Sequence, residues 1–274
     1  MKSAALHRAL SATCLLVWSA ALLWFHGSGR IIKYLAPDFR LIALLGGLGL
    51  LVVGAFNLLT CRRETSCGHS HGEGEDCHSA HDSHDLHPLM ALGLMLVPLV
   101  LSLAWTKDGY SAAALSRKGL YDSPAPGGST FLSNAMPVMT REELLGSHRQ
   151  TDDGYYEFSL MELFFSTGDR ELQGIIDGVK VQTEGRIIDE QVRNPNGTRK
   201  RLYRLFMTCC AADSRPVPIV LEFGEPPPPL PENGWTKVTG TMRYKLEEGT
   251  YQAILVVDQA IAADAPMEES FMRN

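Results

Sequence analysis

The chain has 274 residues, with 25 basic against 31 acidic side chains, a net charge of −6 and 45% hydrophobic residues. That is length for about two domains. A slightly acidic chain with no basic cluster lacks the electrostatic footprint of a nucleic-acid binder. Six cysteines scattered at positions 14, 61, 67, 77, 209 and 210 do not form the framework of a small disulfide scaffold. The average conceals a division: residues 1–106 are mostly apolar outside their loops, whereas 107–274 read as a soluble domain.

Three apolar stretches lie in the first region. Residues 9–25 are uncharged and follow Lys2 and Arg8. A cleaved signal peptide would start in the same way, but two further apolar stretches follow at once, so a retained membrane anchor is expected. Residues 41–59 are charge-free and have the length a bilayer needs. Gly46, Gly47, Gly49 and Gly54 sit inside that apolar run with no Lys-Ser/Thr after them, which excludes a nucleotide loop and suggests close helix approach in lipid. Residues 89–105 form a third stretch with Pro98 in its middle and Trp105 at its end, where an interfacial aromatic is expected. None of the three carries an ionisable residue at its centre, as a transport pathway usually does. The set reads as an anchor or subunit in a bacterial cytoplasmic membrane. The basic start places the N-terminus and the loop at 61–87 inside, and the C-terminal domain extracytoplasmic.

Between the second and third stretches lies CRRETSCGHSHGEGEDCHSAHDSHDLH, residues 61–87, which holds six of the chain's nine histidines. Cys67, His69 and His71 alternate, Cys77 adjoins His78, and His78, His81, His84 and His87 recur every third residue. Imidazole, thiolate and carboxylate are the donors that borderline divalent metals prefer, zinc above all. The bland alternative is a solvated low-complexity linker. The density of donors favours a metal-capturing loop that takes zinc or another divalent ion.

Residues 107–138 read as a linker, broken by Pro124, Pro126, Gly127 and Gly128. Thr140 with Glu143, and Ser159 with Glu162, form capping boxes that open two short helices. Leu160, Leu163 and Phe164 then stand at core spacing. From Val179 onward the period changes to two, giving strands at 179–188, 201–208, 219–223, 235–243 and 251–261, with a turn at Asn194-Pro-Asn-Gly197. The expected fold is three N-terminal transmembrane helices followed by a small, partly open OB-like antiparallel β-barrel with short N-terminal helices, over residues 139–265, and then a tail at 266–274. Charge in the barrel region nearly cancels, so an OB groove for nucleic acid is not expected.

Cys209 and Cys210 end the second strand, three residues before Asp213. Neighbouring strand side chains point to opposite faces, so both thiols serve one site only where the strand breaks. Three readings stay open: a metal site with Asp213, a vicinal disulfide acting as a redox element, or two small buried residues.

The run RLFMTCCAADSRPVPIVLEF, followed by WTKVTG at 235–240 and preceded by VKVQTEGRIID, resembles the C-terminal domain of the YcgQ-like permease subunits. The three apolar stretches with a His-rich loop before the third extend the resemblance over most of the chain. It implies the small membrane subunit of a bacterial two-component permease, with a larger multi-spanning subunit and membrane lipid as partners. Metal handling through the His/Cys loop is the expected role, and a membrane-tethered redox or metal sensor acting through Cys209 and Cys210 is the alternative. No nucleophile–base–orienter set, P-loop or dinucleotide fingerprint occurs, so no enzymatic activity is expected.

Overall fold

The computed structural model describes residues 2–60, 88–105, 110–121, 140–247 and 249–272. They divide into two compact units, Met1–Asp108 and Gly109–Asn274.

In the first unit, α1 (Lys2–Gly27) and α2 (Pro37–Thr60) form a hairpin. Gly29 reverses the chain at φ 71°, a 3-10 turn follows over Arg30–Lys33, and Pro37 opens α2 where its missing N–H costs nothing. The two helices meet along small residues seven apart. Ala12 and Ser19 of α1 are fully buried, and a Cβ on Gly47 or Gly54 would lie 3.3 or 3.0 Å from leucine side chains of α1. The Ser19 hydroxyl donates to the Gly47 carbonyl at 2.8 Å. Gly47 and Gly54 therefore act as expected, by letting backbones approach, whereas a Cβ on Gly46 or Gly49 would meet nothing within 4 Å. Outward, Leu41, Ile42, Val52, Phe56 and Leu59 are exposed, a surface suited to lipid rather than water.

Arg8–Gly27 and Pro37–Thr60 are each long and apolar enough to cross a membrane, and only 11% of either apolar window is buried. The third expected stretch is helical, as α3 (Pro88–Trp105), and lies against α1. Its described apolar portion, Leu92–Leu101, is shorter than a span.

The second unit is a closed five-stranded barrel. Its strands are β2 (Lys180–Asp189), β3 (Arg199–Met207), β4 (Arg215–Glu222), β5 (Trp235–Glu247) and β6 (Thr250–Ala262), joined in the ring β2-β5-β6-β4-β3 and back to β2. Closure runs from Arg186↔Tyr203 to Asp189↔Lys200. At that seam a Cβ on Gly185 would lie 2.9 Å from the Tyr203 carbonyl oxygen, so only glycine lets the strands meet there. A bulge at Thr239/Gly240 bends β5. Val181, Leu202, Ile219, Val238, Met242 and Leu255 fill the interior. The short helices α5 (Arg141–Gly146) and α6 (Leu160–Phe165) carry the two expected capping boxes, at Thr140/Glu143 and Ser159/Glu162. Asp169 caps α7 (Arg170–Ile176), and β1 (Tyr156–Glu157) runs parallel beside β2.

Five expectations need correction. The barrel is closed rather than partly open, and β4 and β6 pair in parallel rather than antiparallel. The third strand starts at Arg215 and contains Pro216 and Pro218. Its pairing with β6 begins only at Val220, so neither proline interrupts a ladder on that side. The segment 110–121 is no linker: α4 (Ala112–Arg117) opens with Ser111 accepting from Ala114 N, and Leu115 and Leu120 are fully buried with Ile188 and Tyr203. The tail is likewise ordered into β7 (Ser270–Met272), which runs parallel to the end of β3.

Candidate functional site

The site is the turn between β3 and β4. After Met207 the strand ends, Cys210 is still extended at φ −152° and ψ 168°, and Ala211–Asp213 form a single 3-10 turn. The Asp213 carboxylate folds back over the strand end. It accepts from the backbone N–H of Cys209 at 2.7 Å, and from those of Thr208 and Cys210 at 3.3 Å each. This interrupts the alternation that would send the two thiols to opposite faces. Their sulfurs lie 3.5 Å apart, and the ligand atoms of Cys209, Cys210 and Asp213 all fall within 4.8 Å of one another. All three residues are half-buried.

The two thiols differ chemically. Hydrogen bonding to Asp213, then to Cys210, pushes the Cys209 thiol up to about 12. The Cys209 hydrogen bond, followed by the Ala212 and Asp213 backbone N–H groups, pulls Cys210 below the ordinary thiol range. Partial burial pushes Asp213 up, but hydrogen bonds from the Cys209 thiol and from three backbone N–H groups outweigh it and hold the carboxyl low. The turn therefore presents one protonated thiol, one thiol inclined to ionise and one carboxylate.

A divalent ion fits that geometry. Two thiolates on a tetrahedral zinc at about 2.3 Å stand roughly 3.8 Å apart, close to the 3.5 Å separation here. An ion would take the place of the Cys209 proton against Asp213, leaving further positions for solvent or a passing ligand.

Two residues of the segment expected to be a linker complete the surroundings. Tyr110 donates its hydroxyl to the Ala211 carbonyl at 2.6 Å. Lys118 reaches the carbonyls of Ala212 at 3.0 Å and Ser214 at 2.9 Å. The readable signal was Ser111 before an alanine run with Gly119 after it, a helix start and stop in miniature. The other expected donors, Cys67, His69, His71, Cys77, His78, His81, His84 and His87, lie outside the described residues.

Residues 10–121 match the DUF1980 N-terminal domain, and residues 173–269 match the DUF1980 C-terminal domain. The chain belongs to the DUF1980 family. The C-terminal DUF1980 match contains the whole Cys209–Asp213 turn, and the N-terminal match runs through Tyr110 and Lys118. The two segments that meet at the site are thus covered by both halves of the family description. No curated protein matches the chain.

Proposed function

We propose that this DUF1980 protein is an accessory membrane subunit of a bacterial permease of the YcgQ-like kind, that it handles a divalent metal such as zinc, and that it performs no catalysis. The observation that carries this reading is the convergence of Cys209, Cys210 and Asp213 on one turn of the barrel. The helices α1, α2 and α3 serve as three spans of the cytoplasmic membrane. The His/Cys loop on the inner side concentrates the ion, and the extracytoplasmic barrel offers it a second, better-defined site. The larger permease subunit supplies the path that α1–α3 lack, since they carry no ionisable residue at mid-span. The test is zinc competition against a chromophoric chelator, using the full chain in detergent. Replacing both cysteines by serine is expected to remove one equivalent of zinc and leave the loop's share. Unchanged stoichiometry overturns the role given to the barrel.

The opposed thiols favour one second reading, a redox element. The Cys210 thiolate would attack a partner disulfide, and Cys209 would then resolve the mixed disulfide. The protein would leave oxidised and the partner as a dithiol, with electrons and protons balanced between them. The sulfurs must close from 3.5 Å to about 2.05 Å for that bond. A domain two hydrogens lighter by mass spectrometry, reverting with reductant, would favour this reading over metal binding.

A further inference from the structure

The thiol turn has two ends with opposite needs. At one end three backbone N–H groups are gathered by the Asp213 carboxylate. At the other end the Ala211 carbonyl accepts from the Ser214 hydroxyl within the turn at 2.7 Å, while the carbonyls of Ala212 and Ser214 take their side-chain donor from outside it. Residues 110–121 supply what is missing there. The Lys118 ammonium reaches the Ala212 and Ser214 carbonyls at 3.0 and 2.9 Å, the Ser214 hydroxyl at 3.3 Å and the Ala211 carbonyl at 3.5 Å. Tyr110 adds its hydroxyl to Ala211 O at 2.6 Å and meets the Ser214 hydroxyl at 3.1 Å. The Lys118 ammonium also stands 5.1 Å over the Tyr110 ring, so each of the two side chains holds the other in place.

The rest of the segment is fixed independently. Leu115 and Leu120 are fully buried, and the Leu120 carbonyl accepts from the buried Arg201 guanidinium at 2.7 Å. Lys118 is therefore presented to the turn from a docked element rather than from a freely moving side chain.

We propose that Lys118 is the positioning residue of the Cys209–Cys210–Asp213 site, and that a divalent ion bound there and the docking of residues 110–121 strengthen one another. This rests on the metal reading of the site. Two thiolates and a carboxylate around a divalent ion leave one negative charge in excess, and an ammonium anchored on the far side of the same turn offsets it. Lys118 also holds the turn in the form that brings the three donors together, so the ion meets a preorganised site. Coupling of this kind is reciprocal: whatever factor Lys118 adds to ion affinity, the ion adds to the docking of the segment.

The experiment is peptide-resolved hydrogen exchange on the full chain in detergent micelles, titrated with zinc alone. Peptide resolution separates the turn and the 110–121 segment from the loop at 61–87. In the wild type, zinc is expected to slow exchange in peptides covering 208–214 and 110–121 with one common midpoint. Lys118→Gln is expected to raise the midpoint at 208–214 by about tenfold, within the usual range of coupling factors, and to abolish the zinc response of 110–121. Lys118→Arg, which keeps the charge and the donors, is expected to restore both. Should Lys118→Gln unfold the barrel, Tyr110→Phe gives the milder version, with a shift in the same direction. A wild-type response at 208–214 that Lys118→Gln leaves within twofold, or a 110–121 segment indifferent to zinc, overturns the coupling and leaves the metal site standing. Absence of any zinc response at 208–214 in the wild type overturns the site itself, and the coupling with it.

Discussion

Strand β3 is packed on both sides, and the two sides are built differently. Inward, Leu202 joins Val181, Ile219, Val238 and Leu255 in an apolar core. Outward, its neighbours Arg201 and Tyr203 are equally buried, but beneath residues 110–121. There Tyr203 packs with Leu115 and Leu120, and Arg201 pairs with a fully buried Glu190 while donating to the Leu120 carbonyl. The inner face is generic and tolerant of substitution by similar shapes. The outer face depends on matched partners, because a buried charge left alone is costly. The contrast shows that the barrel uses its core for cohesion and its outer cluster to select one particular chain segment.

Removing the cover tests this contrast most severely. A fragment beginning at residue 140 is expected to be roughly 4–6 kcal/mol less stable to urea than one beginning at 109, since it loses two buried leucines at about 1.5–3 kcal/mol each and bares the ion pair. Equal urea midpoints would show that the outer face is no core. Breaking only the pair comes next. Glu190→Ala is expected to cost about 3–5 kcal/mol by stranding Arg201, whereas the double change Glu190→Leu with Arg201→Met should recover most of that loss. A double variant as unstable as the single one would deny that the penalty is electrostatic. On the inner face Leu202→Ala is expected to cost about 3 kcal/mol, and Leu202→Met under about 1.5 kcal/mol. That gradation should have no counterpart at Arg201.

Smaller effects sharpen the edges of the comparison. Partial burial raises Glu222, but Lys245 and Arg199 together hold it below the usual carboxylate range. A depressed carboxyl contributes stability that is present above its unfolded value of about 4.3 and is lost as pH falls through the lower folded value. Acid unfolding of Glu222→Gln should therefore lack part of the slope below about pH 4, by under about 1 kcal/mol for so accessible a pair. Smallest of all, Cys209→Ser and Cys210→Ser are expected to change thermal stability by no more than about 0.5 kcal/mol, since both lie in a half-exposed turn. A markedly lower melting temperature with zinc stoichiometry intact would return the pair to the role of packing residues.

The two faces of β3 also mark what could be read in advance. The inward alternation of Val181, Thr183, Gly185 and Ile187 in β2 is visible as a period of two, and so are the capping boxes and the break after Cys210. Each is written within a few residues of the chain. Consecutive burial of Arg201, Leu202 and Tyr203 carries no such pattern, because its cause lies about eighty residues away. The helix at 112–117 is too short for periodicity to reveal, and the Pro/Gly run at 124–128 made its neighbourhood resemble a spacer. The parallel β4–β6 pair is hidden for a related reason, since periodicity reports which face is buried and not which strand lies alongside. At the site, Cys209, Cys210 and Asp213 were legible from composition and the strand break, whereas Lys118 and Tyr110 act through backbone carbonyls that any sequence would possess.

Strand β6 pairs with both β5 and β4, and this sets a timetable for biosynthesis. The ring cannot close before residue 262 has been made, yet Leu115 and Lys118, which belong on its surface, are made long before. At about 5–20 residues per second, the roughly 140 residues between them take about 7–30 s to emerge. Over that interval the α1–α2 hairpin can already be complete, while Leu115 and Leu120 have no barrel to cover them. A holding chaperone would have its greatest opportunity in that window.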